Sequence, residues 1–205
     1  MTSQQSPEDL WRQLQPDARH ALKNLLSEIT DQVNPDPGNP QSLFEAYTYA
    51  KDITARAIQS RMLMHLPPEN QKFRALHTEI QKEMTARYVD IVPANLLKSP
   101  YGSKTHERLF SLLQENLAQP VPSAMLRIVT ADDVHTERRA RELRELGFDL
   151  AWYELEGINV YELRSLEIDF GMIPAIVRNK VRRSKALTTG EKQRILERAG
   201  IPKDG

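Results

Sequence analysis

Apolar residues recur every three or four positions through the first ninety residues, which is the period of an amphipathic helix. They predict three helices, at about residues 7–32, 43–62 and 69–89. Prolines, asparagines and a glycine at residues 34–40 predict a loop after the first helix, and Pro67 and Pro68 end the second. Pro16 is a candidate interruption of the first helix. The apolar stripes predict an N-terminal helical bundle over residues 1–102.

The helical period resumes after the segment Ser-Pro-Tyr-Gly-Ser at residues 99–103, where we place the domain boundary. Thr105 is expected to cap a helix that ends before Pro120, and Ser123 to cap a short helix. Asp132 or Asp133 is expected to cap a third helix, residues 134–146, which Gly147 closes. A short helix, a brief turn and a longer helix are the order of a helix-turn-helix.

After Gly147 the pattern changes from the helical period to alternation. Apolar residues alternate with others on both sides of the dipeptide Glu156-Gly157: Phe148, Leu150 and Trp152 before it, and Ile158, Val160 and Leu163 after it. Alternation around a glycine turn predicts a β-hairpin, and its place after the third helix makes it a wing. The predicted fold is therefore mainly α: the N-terminal bundle, a winged helix-turn-helix with a small β-hairpin over residues 103–170, and a C-terminal helical extension over residues 171–205.

The third helix of the predicted winged unit carries the side chains that fit DNA bases. An arginine fork matches the edge of guanine, and a helix fits the major groove. The residues expected to read bases are His135, Thr136, Arg138, Arg139, Arg141 and Arg144. The alternative is a solvated helix in which Glu137, Glu142 and Glu145 pair with these arginines at helical spacing and weaken the positive field.

Charge is segregated along a chain whose 28 basic and 28 acidic residues balance. Residues 174–203 contain nine basic and two acidic residues, a net charge of +7. Two helices are expected there, at residues 173–185 and 191–199, the second capped by Thr188 or Thr189. A segment this basic is suited to contacts with DNA phosphates. The alternative interpretation is that the segment is an exposed tail. The residues expected on the DNA backbone are Arg178, Lys180, Arg182, Arg183, Lys185, Lys192 and Arg194.

Three segments resemble a known family. Residues 134–150 (VHTERRARELRELGFDL), 160–163 (VYEL) and 193–200 (QRILERAG) resemble the winged-helix region upstream of the nuclease domain in HNH-type restriction-like endonucleases. The cysteine pair and the His-Asn-His residues of that nuclease are missing. The resemblance therefore implies the target-reading part of such an enzyme, as a truncated or split form, a specificity subunit or a regulator.

No catalytic centre, metal site or cofactor site is predicted from the residues. Cysteine is absent, which excludes disulfides, thiolate nucleophiles and sulfur-ligated zinc. Neither a magnesium-dependent nuclease motif nor a glycine-rich phosphate loop is found. His65 and His77 are interpreted as structural. The acidic residues around the hairpin are interpreted as solvating it, with a metal site as the minor alternative: Glu154, Glu156, Glu162, Glu167 and Asp169.

These patterns predict sequence-specific binding of double-stranded DNA, as the target-recognition part of a restriction or antiphage endonuclease system. The alternative is a winged-helix adaptor that contacts proteins and not DNA. The N-terminal helices are expected to serve a homodimer or a nuclease partner. With neither a secretory signal nor a long apolar stretch, the chain is expected in the cytoplasm and not in a membrane.

Overall fold

The computed structural model describes residues 5–30, 40–131 and 135–202. The helices in these ranges are α1 (Pro7–Thr30), α2 (Pro40–Leu63), α3 (Gln71–Tyr88), α4 (Lys104–Glu115), α5 (Ser123–Val129), α6 (Thr136–Glu145), α7 (Ile173–Arg183) and α8 (Thr189–Arg198). Short 3₁₀-helices span Ala94–Leu96 and Phe170–Met172. Strands β1 (Val121–Pro122), β2 (Phe148–Leu155) and β3 (Ile158–Ile168) form one antiparallel sheet with β3 in its centre. The prediction of a mainly α fold with a small β element is confirmed.

Contacts between Cα atoms divide the chain into two compact units. Unit 1 comprises Met1–Pro68 and Ala124–Thr136, and unit 2 comprises Glu69–Ser123 and Glu137–Gly205. The division runs through the segment predicted as a winged helix-turn-helix, because α5 lies almost wholly in unit 1 and α6 almost wholly in unit 2. The predicted domain limits after residues 102 and 170 stay predictions.

Unit 1 is built around an antiparallel pair of helices, α1 and α2. The Arg61 guanidinium lies 5.8 Å from the Trp11 ring at one end, and the Ser42 hydroxyl donates to Glu28 at the other. Pro16 lies inside α1 and does not interrupt it, because Leu14 and Ala18 on either side are packed in the core shared with α2. The buried Gln59 side chain donates to the Val129 carbonyl at 2.8 Å, which ties the end of α5 to α2.

Unit 2 has a core of large side chains from helices and sheet. The rings of Phe73 on α3, Phe110 on α4 and Phe148 on β2 have centroids 5.0–6.3 Å apart. All three are buried, as are apolar residues of α3, β3 and α7, among them Ile80, Leu163 and Val177. This cluster holds α3 and α4 against the first strand of the hairpin.

The helix caps correct one prediction and confirm another. Ser103, not Thr105, is the N-cap of α4, since its hydroxyl accepts from the His106 amide and the helix already includes Thr105. Thr188, one of the two candidates, caps α8 in a reciprocal capping box with Glu191. The caps predicted for α6, Asp132 and Asp133, lie outside the described residues.

Glycines at two turns have the backbone that the sequence predicts. Gly147 ends the α6 region with φ +97°, and a Cβ there would lie 2.6 Å from the Asp169 carbonyl oxygen. Glu156 and Gly157 join β2 to β3 with φ of +50° and +78°, the signs of a type I′ hairpin turn. The predicted hairpin is thus confirmed. Strand β1 was not predicted, because two residues show no alternation and Pro120 and Pro122 indicated only the end of a helix.

Helix α7 ends at Arg183, two residues earlier than predicted, so Lys185 follows the helix. Helix α8 ends at Arg198, before Gly200, which has φ +64°. None of the helices within the described ranges combines the length and the apolar character that a membrane crossing requires.

Candidate nucleic-acid interface

Helix α6 separates its apolar residues from its arginines. Ala140 and Leu143 are three residues apart and therefore share one face of the helix. Both are at most 1% exposed, so this face is buried. Arg138, Arg141 and Arg144 follow the same three-residue spacing on the opposite side and are exposed. The periodicity therefore presents three of the predicted base-reading arginines to solvent.

A buried carboxylate holds two of the predicted base readers. Glu142 is 4% exposed and accepts hydrogen bonds from Arg138 Nε at 3.0 Å and from Arg139 Nη1 at 2.9 Å. Arg138 keeps 56% of its side chain exposed, whereas Arg139 keeps 30%. Arg139 is therefore mainly a structural partner of Glu142, and Arg138 still offers its outer guanidinium nitrogens.

The same carboxylate binds His106 on α4. Glu142 Oε2 lies 2.9 Å from His106 Nε2, and the Ser103 hydroxyl lies 2.6 Å from His106 Nδ1. With Nε2–H donating to Glu142, Nδ1 accepts from Ser103. Serine, histidine and glutamate thus occur in the hydrogen-bond order of a hydrolase triad.

This triad-like order serves the fold. The His106 ring is only 2% exposed, so the imidazole has no face open to a substrate. Ser103 Oγ also caps α4, and Glu142 is occupied by two arginines. The three side chains tie the start of α4 to α6 and fix the orientation of the arginine helix.

Protonation in this network is biased towards a neutral histidine and an ionised glutamate. Burial lowers the pKa of His106 below its ordinary value of 6.5, and the hydrogen bond to Glu142 opposes that shift without reversing it. Burial raises the pKa of Glu142, but hydrogen bonds from Arg139, His106 and Arg138 outweigh burial, so its pKa is lowered. The contact is a hydrogen bond from a neutral imidazole to a carboxylate.

The other predicted base readers differ in accessibility. Thr136 is 2% exposed and its hydroxyl lies 2.8 Å from that of Thr130, so it is not available to a base. His135 is exposed. Arg141 is 61% exposed, with its Nε 3.9 Å from Glu145. Arg144 is exposed and has no ion pair with another described residue.

The residues predicted to contact the DNA backbone lie on α7, α8 and the segment between them. Arg182, Arg183, Lys185 and Arg194 are exposed, while Arg178, Lys180 and Lys192 are half-buried. Burial lowers the pKa of Lys180, and the nearby positive charge of Lys98 lowers it further. A stretch this basic and this accessible is suited to polyanions.

One cavity brings the ends of α6 and α7 together. It has a volume of about 300 Å³, with Tyr101, Glu145, Lys180 and Arg183 among its lining residues. The Tyr101 hydroxyl donates to Glu145 at 2.7 Å and accepts from Arg183 Nη1 at 3.4 Å. Through Tyr101 the contact joins Glu145 of α6 to Arg183 of the basic helix α7.

The β2–β3 hairpin has a different surface. Beyond the core it exposes large apolar side chains next to Glu154 and Glu156: Trp152 (55%), Leu155 (43%) and Ile158 (54%). The acidic residues considered as a metal site do not converge, since no group of three or more His, Asp or Glu side chains within residues 5–30, 40–131 and 135–202 is placed to hold a metal ion. The hairpin tip is apolar and acidic, which is unfavourable next to phosphates.

Sequence reasoning missed Tyr101, Ser103 and His106. His106 did carry a signal: it lies on the apolar stripe of α4, three and four residues before Leu109 and Phe110, where a polar ring must be buried. A buried imidazole needs a hydrogen-bond partner, but its partner Glu142 is 36 residues away. Only the tertiary structure identifies it.

No family model, curated protein or solved structure matches this chain. The sequence resemblance to the region upstream of HNH nuclease domains therefore has no support from these comparisons.

Proposed function

We propose that the chain binds double-stranded DNA through a winged helix, with its affinity supplied mainly by the basic α7–α8 segment. The observation that carries the proposal is the net charge of +7 over residues 174–203 in a chain of net charge zero. Four of the seven predicted backbone-contacting residues there are exposed. Neutralising phosphates releases bound counterions, which favours binding to any DNA sequence.

Base reading is assigned to the outer face of α6. Arg141 and Arg144 are its most available arginines, and Arg138 contributes the nitrogens that Glu142 does not hold. Thr136 is left out of this set because its side chain is buried. The Glu142 contacts orient the helix, and a fixed orientation lowers the entropic cost of placing arginines in the major groove.

The proposal extends to a biological role. We propose that the chain is the target-recognition part or subunit of a restriction or antiphage endonuclease system. This step rests on the resemblance of residues 134–150, 160–163 and 193–200 to the region upstream of HNH nuclease domains. Because no catalytic set is assigned to the described residues, cleavage would come from a separate nuclease or nuclease domain.

The test is selection of the purified full chain on a random duplex pool at two salt concentrations, with and without magnesium. Enrichment of a short motif and a steep fall of affinity with salt are expected. Arg141→Ala or Arg144→Ala should then weaken binding to the selected site by about 1–3 kcal/mol, and weaken random duplex much less. Cleavage by the purified chain would contradict the proposal that a separate nuclease or nuclease domain cuts the DNA.

A charge variant tests the backbone role separately. The double substitution Arg182→Gln/Lys185→Gln should weaken all duplexes alike and reduce the slope of log K against log salt by about 0.9 for each phosphate that is no longer neutralised. Arg12→Gln is the matched control, since Arg12 is an exposed arginine of unit 1 paired with Glu8. An unchanged slope in the double variant, or no binding of duplex by the wild type at low salt, would refute the assignment.

A second candidate function is a winged-helix adaptor that contacts proteins. It is favoured by two observations: Glu142 neutralises part of the α6 charge, and the hairpin tip is apolar and acidic. Failure to retain any duplex at low salt is the result that would select it. Trp152→Ala should then weaken partner binding while Arg141→Ala does not.

A further inference from the structure

The α1–α2 pair buries small residues between its helices and exposes large ones. Its core consists of four alanines with one leucine and one isoleucine: Leu14, Ala18, Ala21, Ala50, Ile53 and Ala57. Alanines let the helices approach closely but bury little apolar surface. Leu10, Trp11 and Leu25 are half-buried and pack against this core, while other large apolar residues of the two helices stay exposed.

Apart from Tyr49, the exposed large apolar residues lie on one face of each helix. On α1 they are Leu22, Leu26 and Ile29, at spacings of four and three, and 48–61% exposed. On α2 they are Phe44, Tyr47 and Ile58, at spacings of three and eleven, and 39–61% exposed. Spacings of three, four and eleven keep each set on one face of its helix.

Two grooves flank the centre of this face. One is lined by Trp11 and Leu26 and has a volume of about 420 Å³; the other is lined by Leu25 and Tyr47 and has a volume of about 430 Å³. Leu22, Thr54 and Ile58 line both grooves and so form the ridge between them. The ridge of one copy can pack into a groove of a second copy, whose own ridge then packs into a groove of the first.

We propose that this face is a homodimer interface, in which the α1–α2 pairs of two copies form a four-helix bundle. The six exposed residues present roughly 600–700 Å² of surface, near the ~800 Å² per partner of a standard stable interface. The two helices together hold six basic and six acidic residues, so a second copy meets no net repulsion. The dimer does not depend on DNA binding.

The charged side chains at the grooves add a diagnostic salt response. Among the described residues, the charged side chains that line the grooves are Arg19, Lys23, Lys51 and Arg127. Their aliphatic stems extend the apolar surface. A homodimer held by apolar contacts between helices of no net charge is expected to change little with salt. An acidic partner on the same face would instead be weakened by salt.

The experiment is sedimentation equilibrium of the full chain, without DNA, over a concentration series at two salt concentrations. The wild type is expected at twice the chain mass of 23.5 kDa, with a dissociation constant in the micromolar range or below that changes little with salt. Leu26→Glu and Phe44→Glu should each give the single-chain mass with an unchanged far-UV circular dichroism spectrum, because both side chains are 61% exposed.

Leu155→Glu is the matched control, an exposed leucine on the hairpin of unit 2. It should leave the dimer intact. A wild type that remains at the single-chain mass overturns the proposal, as does a dimer that survives both Leu26→Glu and Phe44→Glu. Because no DNA is present, these results are independent of whether the chain binds duplex.

Discussion

Unit 1 and unit 2 differ in what they bury. The α1–α2 seam of unit 1 is mostly alanine, with Leu22, Leu26 and Phe44 exposed beside it. Unit 2 encloses a cluster of three phenylalanine rings and the Ser103–His106–Glu142 network. Apolar burial is the main source of stability, so the larger residues of unit 1 would contribute fully only with a partner. The comparison fits a unit 2 with a complete core of its own, and it motivates the proposed homodimer of unit 1.

The largest contrast is expected between two phenylalanines. Phe110→Ala in unit 2 should lower the free energy of unfolding by about 3–5 kcal/mol, because it leaves a cavity where the ring is fully buried. Phe44→Ala in unit 1 should cost about 0.5 kcal/mol or less at protein concentrations where the chain is monomeric, since 61% of the residue is already exposed.

The two tryptophans allow each unit to be followed in urea. Trp11 lies in α1 and Trp152 in β2, and the chain has no other tryptophan. A Trp11→Phe background reports unit 2, and a Trp152→Phe background reports unit 1. If Phe110→Ala and Phe44→Ala lowered the free energy of unfolding equally, unit 1 and unit 2 would not differ in the completeness of their cores.

An intermediate effect is expected at the buried Ser103–His106–Glu142 network of unit 2. Glu142→Gln keeps the side chain's shape but removes the charge that Arg138, Arg139 and His106 share. A decrease of about 1–3 kcal/mol is expected in the free energy of the urea transition that Trp152 reports. Glu83→Gln on α3 is the control. It should cost less than about 1 kcal/mol, because Glu83 and its ion-pair partner Arg87 are both more than one-third exposed.

The smallest effect is a pH dependence confined to unit 2. Burial lowers the pKa of His106 and of His77 below 6.5, and His106 adds to the shift of His77. Between those lowered values and 6.5 the unfolded chain binds more protons than the folded one, so stability is complete above 6.5 and falls as the pH falls below it. The lowered pKa of Glu142 adds a further decrease at more acidic pH.

Urea unfolding from about pH 7.5 to 5.5 measures this dependence, which is at most about 1.4 kcal/mol per pH unit for each histidine. His106→Gln should flatten the unit 2 curve. The unit 1 transition is the comparison, because neither His77 nor His106 belongs to unit 1. A unit 1 transition that is equally acid-sensitive would show that the buried histidines are not the cause.

Much of the local structure was predictable because local rules determine it. Gly147 and the Glu156-Gly157 turn have positive φ, which glycine tolerates, and Thr188 is a standard helix cap. The cap of α4 was misplaced by two residues, since Ser103 and Thr105 are both residue types that cap helices. Strand β1 was missed because two residues pair with β3 only through tertiary contact.

The candidate site was predictable only in part. The arginine spacing of α6 and the basic segment after it are properties of the sequence. That Thr136 is buried and that Glu142 holds Arg138 and Arg139 depends on packing. The sequence left two alternatives open for the α6 arginines: reading bases, or pairing with glutamates three or four residues away. Helical periodicity allows both a solvated arginine and an ion-paired one, and rotamers decide between them.

The sequence by itself determined the order of helices, the hairpin with its turn and the segregation of charge, because these follow from periodicity and residue type within short windows. Tertiary structure alone decided which residues share a core, that His106 meets Glu142, and that Leu22, Leu26 and Phe44 stay exposed. The physical reason is the distance along the sequence over which each kind of interaction acts. Dihedral preferences and periodicity act over a few residues, whereas burial and pairing join positions tens of residues apart.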